Sequence, residues 1–410
     1  MRIRATKHQT SMPKTPLLFV LLFAPTLSAA DWLQFRGEGN RGVAENERLP
    51  TKFGPDEKVA WKAALPGKAA CGPIVIGDRV VVTAASGPVV QDRLHVLCLD
   101  AKTGQQLWQR QFWATGRPHH HPMSSNAAPT PASDGKRIFA FYSSNDVVCL
   151  DLDGNLLWYR GLGHDYPNTG NDIGMSASPL VVEGTVVVQV ECQGDSFAAG
   201  LDTATGENRW RINRPHAPNW VSPAALRRAD GTQVVLLQAA DGLTAHEPKT
   251  GKQLWKYEAD CSSIPSPTTA GDRIFLPAAG MTVLEAPANS SAPSLLWDSN
   301  KLAPGNASPV IDGERLYVLS RAGVLAAADA KTGDVKWQTR LKGTFWATPV
   351  VAGGHAYCAN QDGECLVVQL GEKGEIVHTA AFGEPFLGTP AIAGGALYLR
   401  GEKHLWKIGN

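Results

Sequence analysis

The chain has 410 residues, of which 43% are hydrophobic and 19% are charged, and its formal net charge at pH 7 is +1. A charge this close to zero argues against nucleic-acid binding, which calls for a basic face or stripe. The length would suit several ordinary domains. A repeat runs through the chain without a break, however, so we expect one large closed domain.

Residues 1–30 are predicted to form a signal peptide. A positively charged start is followed by an apolar segment over residues 16–27 and by small residues at 28–30. The apolar segment is too short to span a bilayer comfortably, so we expect cleavage before Asp31; an uncleaved anchor is the alternative. The cleaved chain is slightly acidic. We expect a periplasmic or secreted protein without a membrane span.

An extended stretch that opens with a small residue and a proline recurs about once every 40–50 residues. Ser178-Pro179 and Thr348-Pro349 are examples. A unit of this size cannot bury its own apolar faces, so the copies must pack on one another. Eight copies are predicted, with their prolines at Pro73, Pro129, Pro179, Pro223, Pro267, Pro309, Pro349 and Pro390.

A turn that leads into tryptophan forms the second half of the repeat. In the first copy Asp100 opens the turn, Thr103-Gly104 completes it and Trp108 follows. The Thr-Gly step supplies a residue tolerant of positive φ in a tight hairpin, and the aspartate is interpreted as a turn former. His378 occupies the tryptophan slot of the seventh copy. The other tryptophan halves carry Trp158, Trp210, Trp255, Trp297 and Trp337.

Each copy reads as four short strands, and the eighth copy ends at Asn410 before any tryptophan half. The missing half lies near the other end of the chain, around Trp61. An N-terminal strand that completes the last unit closes a ring of sheets and protects their edges. The predicted fold is therefore all-β: an eight-bladed β-propeller of four-stranded antiparallel blades over residues 58–410. Residues 31–57 form an N-terminal extension.

The phrase Ala101-Lys102-Thr103-Gly104 with Trp108 resembles the pyrroloquinoline-quinone-type propeller repeat. That repeat occurs in quinoprotein dehydrogenases and in BamB-like outer-membrane assembly lipoproteins, which are non-enzymatic eight-bladed scaffolds. The resemblance spans roughly residues 31–410 and implies the fold far more than an activity. Residues 31–37 and 40–43 also resemble secreted propeller proteins of planctomycete bacteria. No cysteine follows the apolar segment, so no lipid anchor is expected.

Seven cysteines occur, and an odd number cannot all pair within one chain. Cys98 and Cys149 both lie two residues before the aspartate of a strand, which favours buried free thiols. Cys358 and Cys365 flank one predicted hairpin and are the candidates for a disulfide. A two-residue Asp362-Gly363 turn would put them out of register, so the sequence does not decide whether this disulfide forms.

Two adjacent connections between repeats are nearly twice as long as the others. They follow Trp108 and Trp158, and they are predicted to lie on the face where the chain enters the central channel. Loops on a rigid scaffold are where binding groups tend to be placed. The candidate binding residues on these loops are Arg117, His119, His120, His121, Ser124, Asn126, His164, Asp165, Tyr166, Asn168, Asn171 and Asp172.

Shorter connections add aromatic and polar residues to the same face. Together they form a predicted funnel at the channel mouth, a mixture that suits peptide or sugar binding by stacking and hydrogen bonding. The alternative is that each side chain plugs the channel or holds a neighbouring loop. These residues are His216, Asn219, Trp220, Asp260, Asn306 and Trp346.

The run His119-His120-His121 invites a metal hypothesis, with His164 and Asp165 as further ligands. Consecutive histidines in an extended loop point in alternate directions and rarely converge on one ion, and a zinc site needs further ligands at the right distance. The other interpretation is a polar, hydrogen-bonded loop, and we predict no metal here.

Quinoprotein catalysis, by the resemblance, needs a vicinal disulfide and a tryptophan around the quinone, a calcium held by Glu and Asn, and an Asp base. The chain has no adjacent cysteines and no Cys-x-x-Cys-His haem motif. It also lacks a Gly-x-Ser-x-Gly elbow and a phosphate loop.

We therefore predict a secreted, non-catalytic, monomeric binding or scaffold propeller without a cofactor. It would hold a protein, peptide or glycan partner on its loop face. The alternative is a quinone (PQQ)-dependent oxidoreductase-like protein. A lyase or hydrolase in the funnel would need a base such as His164 or His216 beside an acidic partner.

Overall fold

The computed structural model describes residues 31–88, 90–228, 230–286 and 291–409. The predicted signal peptide lies outside these ranges. Eight antiparallel sheets follow one another along the chain, and the first strand of each sheet contacts the first strand of the next until the ring closes. The predicted eight-bladed β-propeller is confirmed. We label the strands of each blade A to D from the channel outward.

The strands are short, as blades of a propeller require. Blades 1 to 4 comprise, from A to D, Ile74–Ile76, Arg79–Ser86, Arg93–Asp100 and Gln106–Trp113; Ala132–Ser133, Arg137–Phe141, Asp146–Asp151 and Leu156–Gly161; Leu180–Val182, Thr185–Val190, Phe197–Asp202 and Asn208–Asn213; Ala224–Arg227, Gln233–Ala239, Gly242–His246 and Gln253–Glu258.

Blades 5 to 8 have the same plan. They comprise Thr268–Ala270, Arg273–Leu276, Met281–Glu285 and Ser294–Ser299; Val310–Asp312, Arg315–Leu319, Val324–Asp329 and Val335–Arg340; Val350–Ala352, His355–Ala359, Glu364–Gln369 and Glu375–Ala381; Ala391–Ala393, Ala396–Arg400, His404–Gly409 and Val59–Ala64.

The apolar patterns follow from the position of each strand in its blade. Strands B and C have neighbours on both sides and on both faces, so Thr185–Val190 is buried throughout. Strand D is the outer edge, and Val335–Arg340 is exposed except at Trp337 and Thr339. The exposed edges mix charged side chains with apolar ones such as Leu107 and Leu156, and the charged groups disfavour pairing with another chain.

The tryptophan and the glycine of the repeat form one joint between neighbouring blades. The Trp61 ring donates its Nε1–H to Ala101 O at 3.0 Å and covers Gly104, which has φ +71°. A Cβ at Gly104 would lie 2.6 Å from the Trp61 ring. Asp100 shapes the same turn by accepting from the backbone and hydroxyl of Thr103, which lowers its pKa. The same indole-to-carbonyl bond recurs at Trp108, Trp158, Trp210, Trp297 and Trp337.

The ring closes as the sequence predicts. Val59–Ala64 pairs with His404–Gly409 as the outermost strand of blade 8, with Lys62 opposite Trp406. The first and last parts of the described chain therefore share one sheet.

The repeat proline predicted for the second copy, Pro129, is wrong. Gly72 N donates to Thr130 Oγ1, and Thr130 N donates to Ser178 Oγ, as the equivalent residues of the other blades do. Thr130 thus precedes the repeat proline, which is Pro131 and not Pro129. Prolines flank Thr130 on both sides, and only the hydrogen bonds between blades show which of them is the repeat proline. The connection before strand A of blade 2 is therefore longer than predicted.

Residues 31–57 are built into the ring. Trp32 pairs with Val75 of blade 1, and Val43–Ala44 adds a parallel fifth strand to blade 7 beside Val350–Ala352. Between them Arg36 is buried, donating to Pro267 O at 2.7 Å and to the Thr268 hydroxyl. Burial lowers the pKa of Arg36 to about 9. This segment crosses the channel on the face that carries the A–B and C–D turns, which we call the turn face.

All seven cysteines are unpaired and buried. Cys358 lies opposite Leu366, and Cys365 lies opposite Ala359. The two thiols therefore project to opposite faces of blade 7, into separate apolar clusters. The two cysteines are out of register across the hairpin, as the predicted Asp362-Gly363 turn requires, and for this reason they form no disulfide.

Helical structure in the described ranges amounts to one α-helical turn, Leu162–Asp165, and two 3-10 turns, Glu38–Asn40 and Asn300–Leu302. Over the same ranges, no helix has the length and apolar character needed to cross a membrane.

Candidate binding site

The D–A connections and the B–C turns share one end of the ring, which we call the loop face. Two connections dominate it: residues 114–131 and residues 162–179, named here the long loops. They meet over the channel, where His121 N donates to Ile173 O at 2.9 Å. The pair of long connections that the sequence singles out therefore forms one continuous surface.

Buried polar contacts fix the long loops to the blades. The Asn126 side chain accepts from Ser144 N at 2.8 Å and donates to Gln91 O. Ser143 joins the two loops, since its hydroxyl donates to His119 O at 2.7 Å and accepts from Met175 N at 2.8 Å. A loop held at several points is pre-organised, and ordering it on binding costs little.

Between the long loops and the N-terminal segment lies a cavity of about 430 Å³, which we call the funnel. Phe35 of the N-terminal segment lines it, as do Met123 and Ile173 of the long loops. Five of the predicted site residues line it as well: His121, Ser124, Trp220, Asn306 and Trp346.

The two funnel tryptophans hold the long loops in place. Trp220 Nε1–H donates to Gly174 O at 2.8 Å. Trp346 Nε1–H donates to the Gln361 side-chain oxygen at 3.1 Å, and the Gln361 amide reaches Met123 Sδ at 3.4 Å. This chain of contacts connects the blade 7 side of the funnel with the blade 2 side. These two side chains therefore line the predicted funnel and also hold neighbouring loops, as the alternative expects.

A circle of hydroxyls surrounds the funnel where the A strands begin. The residue before each repeat proline accepts a hydrogen bond at 2.9–3.0 Å from the equivalent backbone N–H of the preceding blade. At the eighth interface Gly72 replaces the hydroxyl, and a Cβ there would lie 2.1 Å from Thr389 O. We call these residues the hydroxyl ring: Thr130, Ser178, Ser222, Ser266, Ser308, Thr348 and Thr389.

The hydroxyl ring, Phe35 and Arg321 are not predicted from the sequence. In the sequence the small residue before each proline indicates the start of a strand, and its recurrence is the signal that could have predicted the ring. Phe35 lies outside the repeat, and Arg321 lies in the B–C turn of blade 6. Neither position carries a sequence pattern that points to the channel.

Five predicted site residues hold the structure together. Asn126 anchors its loop, and Asn171 accepts from Ile173 N. Asn219 is buried and donates to Glu191 and to Gln238 O. Tyr166 packs against Phe197 with tilted rings whose centroids are 4.8 Å apart, and Asp165 pairs with Arg160.

The remaining predicted residues lie outside the funnel lining. His120 is half-buried, with its Nδ1 2.9 Å from His121 O. The others are exposed: Arg117, His119, His164, Asn168, Asp172, His216 and Asp260.

The residues that the structure describes offer few groups that could hold a metal ion or support quinone chemistry. Among them, no three His, Cys, Asp or Glu side chains are grouped to hold an ion. The funnel lining contains no Asp or Glu, so it offers neither a carboxylate ligand for a metal nor a carboxylate base. The described residues therefore do not fit a quinone–metal pair.

A buried ion pair lies between blades 3 and 4, outside the funnel lining. Arg214 Nε donates to Glu191 Oε1 at 2.6 Å, and Gln189 and Asn219 also donate to that carboxylate. Burial raises the pKa of Glu191, and Arg214 acts in the opposite direction. The carboxylate is satisfied on all sides, as buried charges must be, which marks this group as structural.

Fold and site together define an eight-bladed propeller whose channel is closed by an N-terminal segment on one face and by two anchored loops on the other. The family model described as outer membrane protein assembly factor BamB matches residues 51–226, 194–292 and 288–371. The chain belongs to this family.

Relatives agree with that assignment. The chain is 25% identical over 400 residues to an outer membrane protein assembly factor BamB of Burkholderia pseudomallei (strain K96243), covering 91% of this chain and 94% of the relative. The BamB structure from Moraxella catarrhalis superposes with a TM-score of 0.64 at 16% identity, covering 86% of this chain and 97% of that one.

The propeller is shared with enzymes. A europium-containing methanol dehydrogenase superposes with a TM-score of 0.68 at 15% identity, covering 90% of this chain and 89% of the enzyme. At that identity the likeness establishes the fold alone, because one fold hosts many functions.

Proposed function

We propose that this protein is an exported, non-catalytic binding propeller that holds a protein or peptide partner on its loop face. Membership of a family named for an assembly factor supports a protein partner. The observation that carries the proposal is the anchored pair of long loops, because a fixed surface of exposed side chains is suited to recognition. We further propose that the protein acts as a monomer, because charged side chains on the outer strands disfavour pairing between copies.

The composition of the loop face fits a protein interface. Met123 and Ile173 are both 44% exposed at the funnel mouth, while most large apolar side chains are buried. Around them stand Arg117, His119 and Asp172, which are exposed polar groups. Apolar groups at the centre with a polar rim are the usual arrangement of a protein interface.

Site-specific photo-crosslinking in the native host tests this proposal. A photoreactive amino acid replaces His119 or Asn168 on the loop face, and Lys102 or Lys331 on the turn face serves as the matched control. All four positions are exposed. We expect protein adducts from positions 119 and 168 and none from 102 and 331. Adducts from the turn face alone, or from neither face, would refute the assignment of the binding surface.

A further inference from the structure

The hydroxyl ring has unused hydrogen-bonding capacity. Each of its seven oxygens accepts from a backbone N–H, but within the described residues none of the seven hydroxyls donates to a protein acceptor. All are more than nine-tenths buried and line the funnel. A hydroxyl both accepts and donates, and a buried donor without an acceptor is costly. The acceptors must therefore come from whatever fills the funnel.

Arg321 and His121 add hydrogen-bond donors to the funnel lining. Arg321 is among the lining residues and is exposed, and its side chain has no hydrogen-bond or ion-pair partner among the described residues. His121 Nδ1 accepts from Met123 N–H at 3.2 Å, so the neutral imidazole carries its proton on Nε2 and is a further donor. With no Asp or Glu in the lining, the funnel offers donors and positive charge to an occupant.

Apolar surface makes up the rest of the wall. Phe35, Trp220, Ile264 and Leu387 line the funnel together with Met123 and Ile173. Cavities of about 300–1,000 Å³ with mostly apolar walls and a few placed polar groups are typical of small-ligand sites. The occupant that matches this wall has an apolar body and a negatively charged, acceptor-bearing end.

We propose that the funnel binds an organic carboxylate with an aromatic or aliphatic body. The carboxylate accepts hydrogen bonds from Arg321 and from the funnel's uncommitted O–H and N–H donors, and the body packs on Trp220 and Phe35. This site goes beyond partner binding on the outer loop surface. Its ligand has two possible sources with the same chemistry, a free organic acid or the C-terminal residue of a polypeptide.

Calorimetry on the purified chain from residue 31 onward tests the proposal with three matched probes: 4-phenylbutyrate, neutral 4-phenylbutanamide and cationic 4-phenylbutylamine. We expect the carboxylate to bind at least about tenfold more tightly than the amide or the amine, because charge-assisted hydrogen bonds are the stronger ones. N-acetyl-Ala-Ala-Phe with a free or an amidated C-terminus separates the two sources, since a polypeptide site favours the free-acid tripeptide over 4-phenylbutyrate.

Two charge variants locate the site. Arg321→Gln should weaken carboxylate binding about tenfold or more, whereas Lys336→Gln, which removes the same charge from an exposed position on strand D of the same blade, should leave it unchanged. Equal binding of carboxylate and amide, or equal affinity of the two variants, would overturn the proposal. Absence of binding by every probe at millimolar concentration would also overturn it, leaving water as the partner of the hydroxyl ring.

Discussion

The His378 imidazole and the Phe53 backbone meet at a blade interface that lacks the tryptophan–glycine joint. His378 Nε2 lies 2.5 Å from Phe53 O and 3.2 Å from Phe53 N. Blade 8 takes its outer strand, Val59–Ala64, from the N-terminal part of the chain, so no C–D turn with a glycine exists there. The histidine binds the incoming N-terminal segment in place of that turn.

Replacing this histidine tests its role as a clasp. In His378→Ala we expect a loss of about 1–3 kcal/mol in the free energy of unfolding, because the Phe53 backbone loses its partner. Faster amide hydrogen exchange at Phe53 should accompany the loss. His355→Ala is the control, because within the described ranges that ring hydrogen-bonds only to Gly353 O of its own hairpin. Equal effects of both substitutions on Phe53 exchange would contradict the clasp.

The tryptophan–glycine joint can be tested by replacing its glycine. Gly104→Ala forces a Cβ to within 2.6 Å of the Trp61 ring at φ +71°, whereas Gly313→Ala meets nothing within 4 Å at φ +56°. Both variants carry backbone strain of about 1–2 kcal/mol, but only the first also overpacks, at about 1–3 kcal/mol. Denaturant unfolding should show Gly104→Ala to be clearly less stable. Indistinguishable midpoints would mean that the ring does not press on the turn.

Much of this joint follows from sequence. The tryptophan, the turn glycine and Asp100 recur together, and the size of the indole requires a neighbouring blade to cover it. The sequence places His378 in the tryptophan slot, but it does not predict Phe53 as the partner, because that contact spans the ring closure. Phe35 and Arg321 of the funnel were missed for a related reason, since neither belongs to the repeated phrase and only the closed ring brings them together.

The buried pair Glu191–Arg214 predicts a pH-dependent stability. Arg214→Met leaves the carboxylate without its counter-charge, so we expect a loss of about 3–5 kcal/mol at pH 7.5. Burial raises the folded-state pKa of Glu191 above 4.5, so the folded chain binds the proton more tightly than the unfolded chain. Its contribution to stability therefore falls as pH rises from 4.5 through the folded-state pKa.

Urea unfolding at pH 7.5 and pH 4 measures this dependence. The deficit of Arg214→Met should shrink at pH 4, where the carboxyl is mostly protonated in both states. Arg209→Met is the control, because its partner Asp202 is part-exposed and such a pair contributes no more than about 1 kcal/mol. A deficit for Arg214→Met that is the same at both pH values would show that packing, and not charge, explains the loss.

The oxidoreductase alternative makes its own prediction. A quinone site in this fold would need a metal ligand and a base, and the funnel lining has no carboxylate. Adding Ca²⁺ to the chain with pyrroloquinoline quinone should therefore not raise Tm beyond its value with the quinone alone. A ligand at about 100 times its Kd stabilises by about 2.7 kcal/mol, so a calcium-dependent rise would be visible and would favour the enzyme.

Hydrogen exchange of the protein, with and without the partner found by crosslinking at position 119, is the decisive test of partner binding on the loop face. Partner binding should slow exchange in residues 114–131 and 162–179, the long loops, while the C–D turns around Lys102 and Lys331 exchange as before. Protection confined to those turns would contradict the account, because it would place the partner on the opposite face of the propeller.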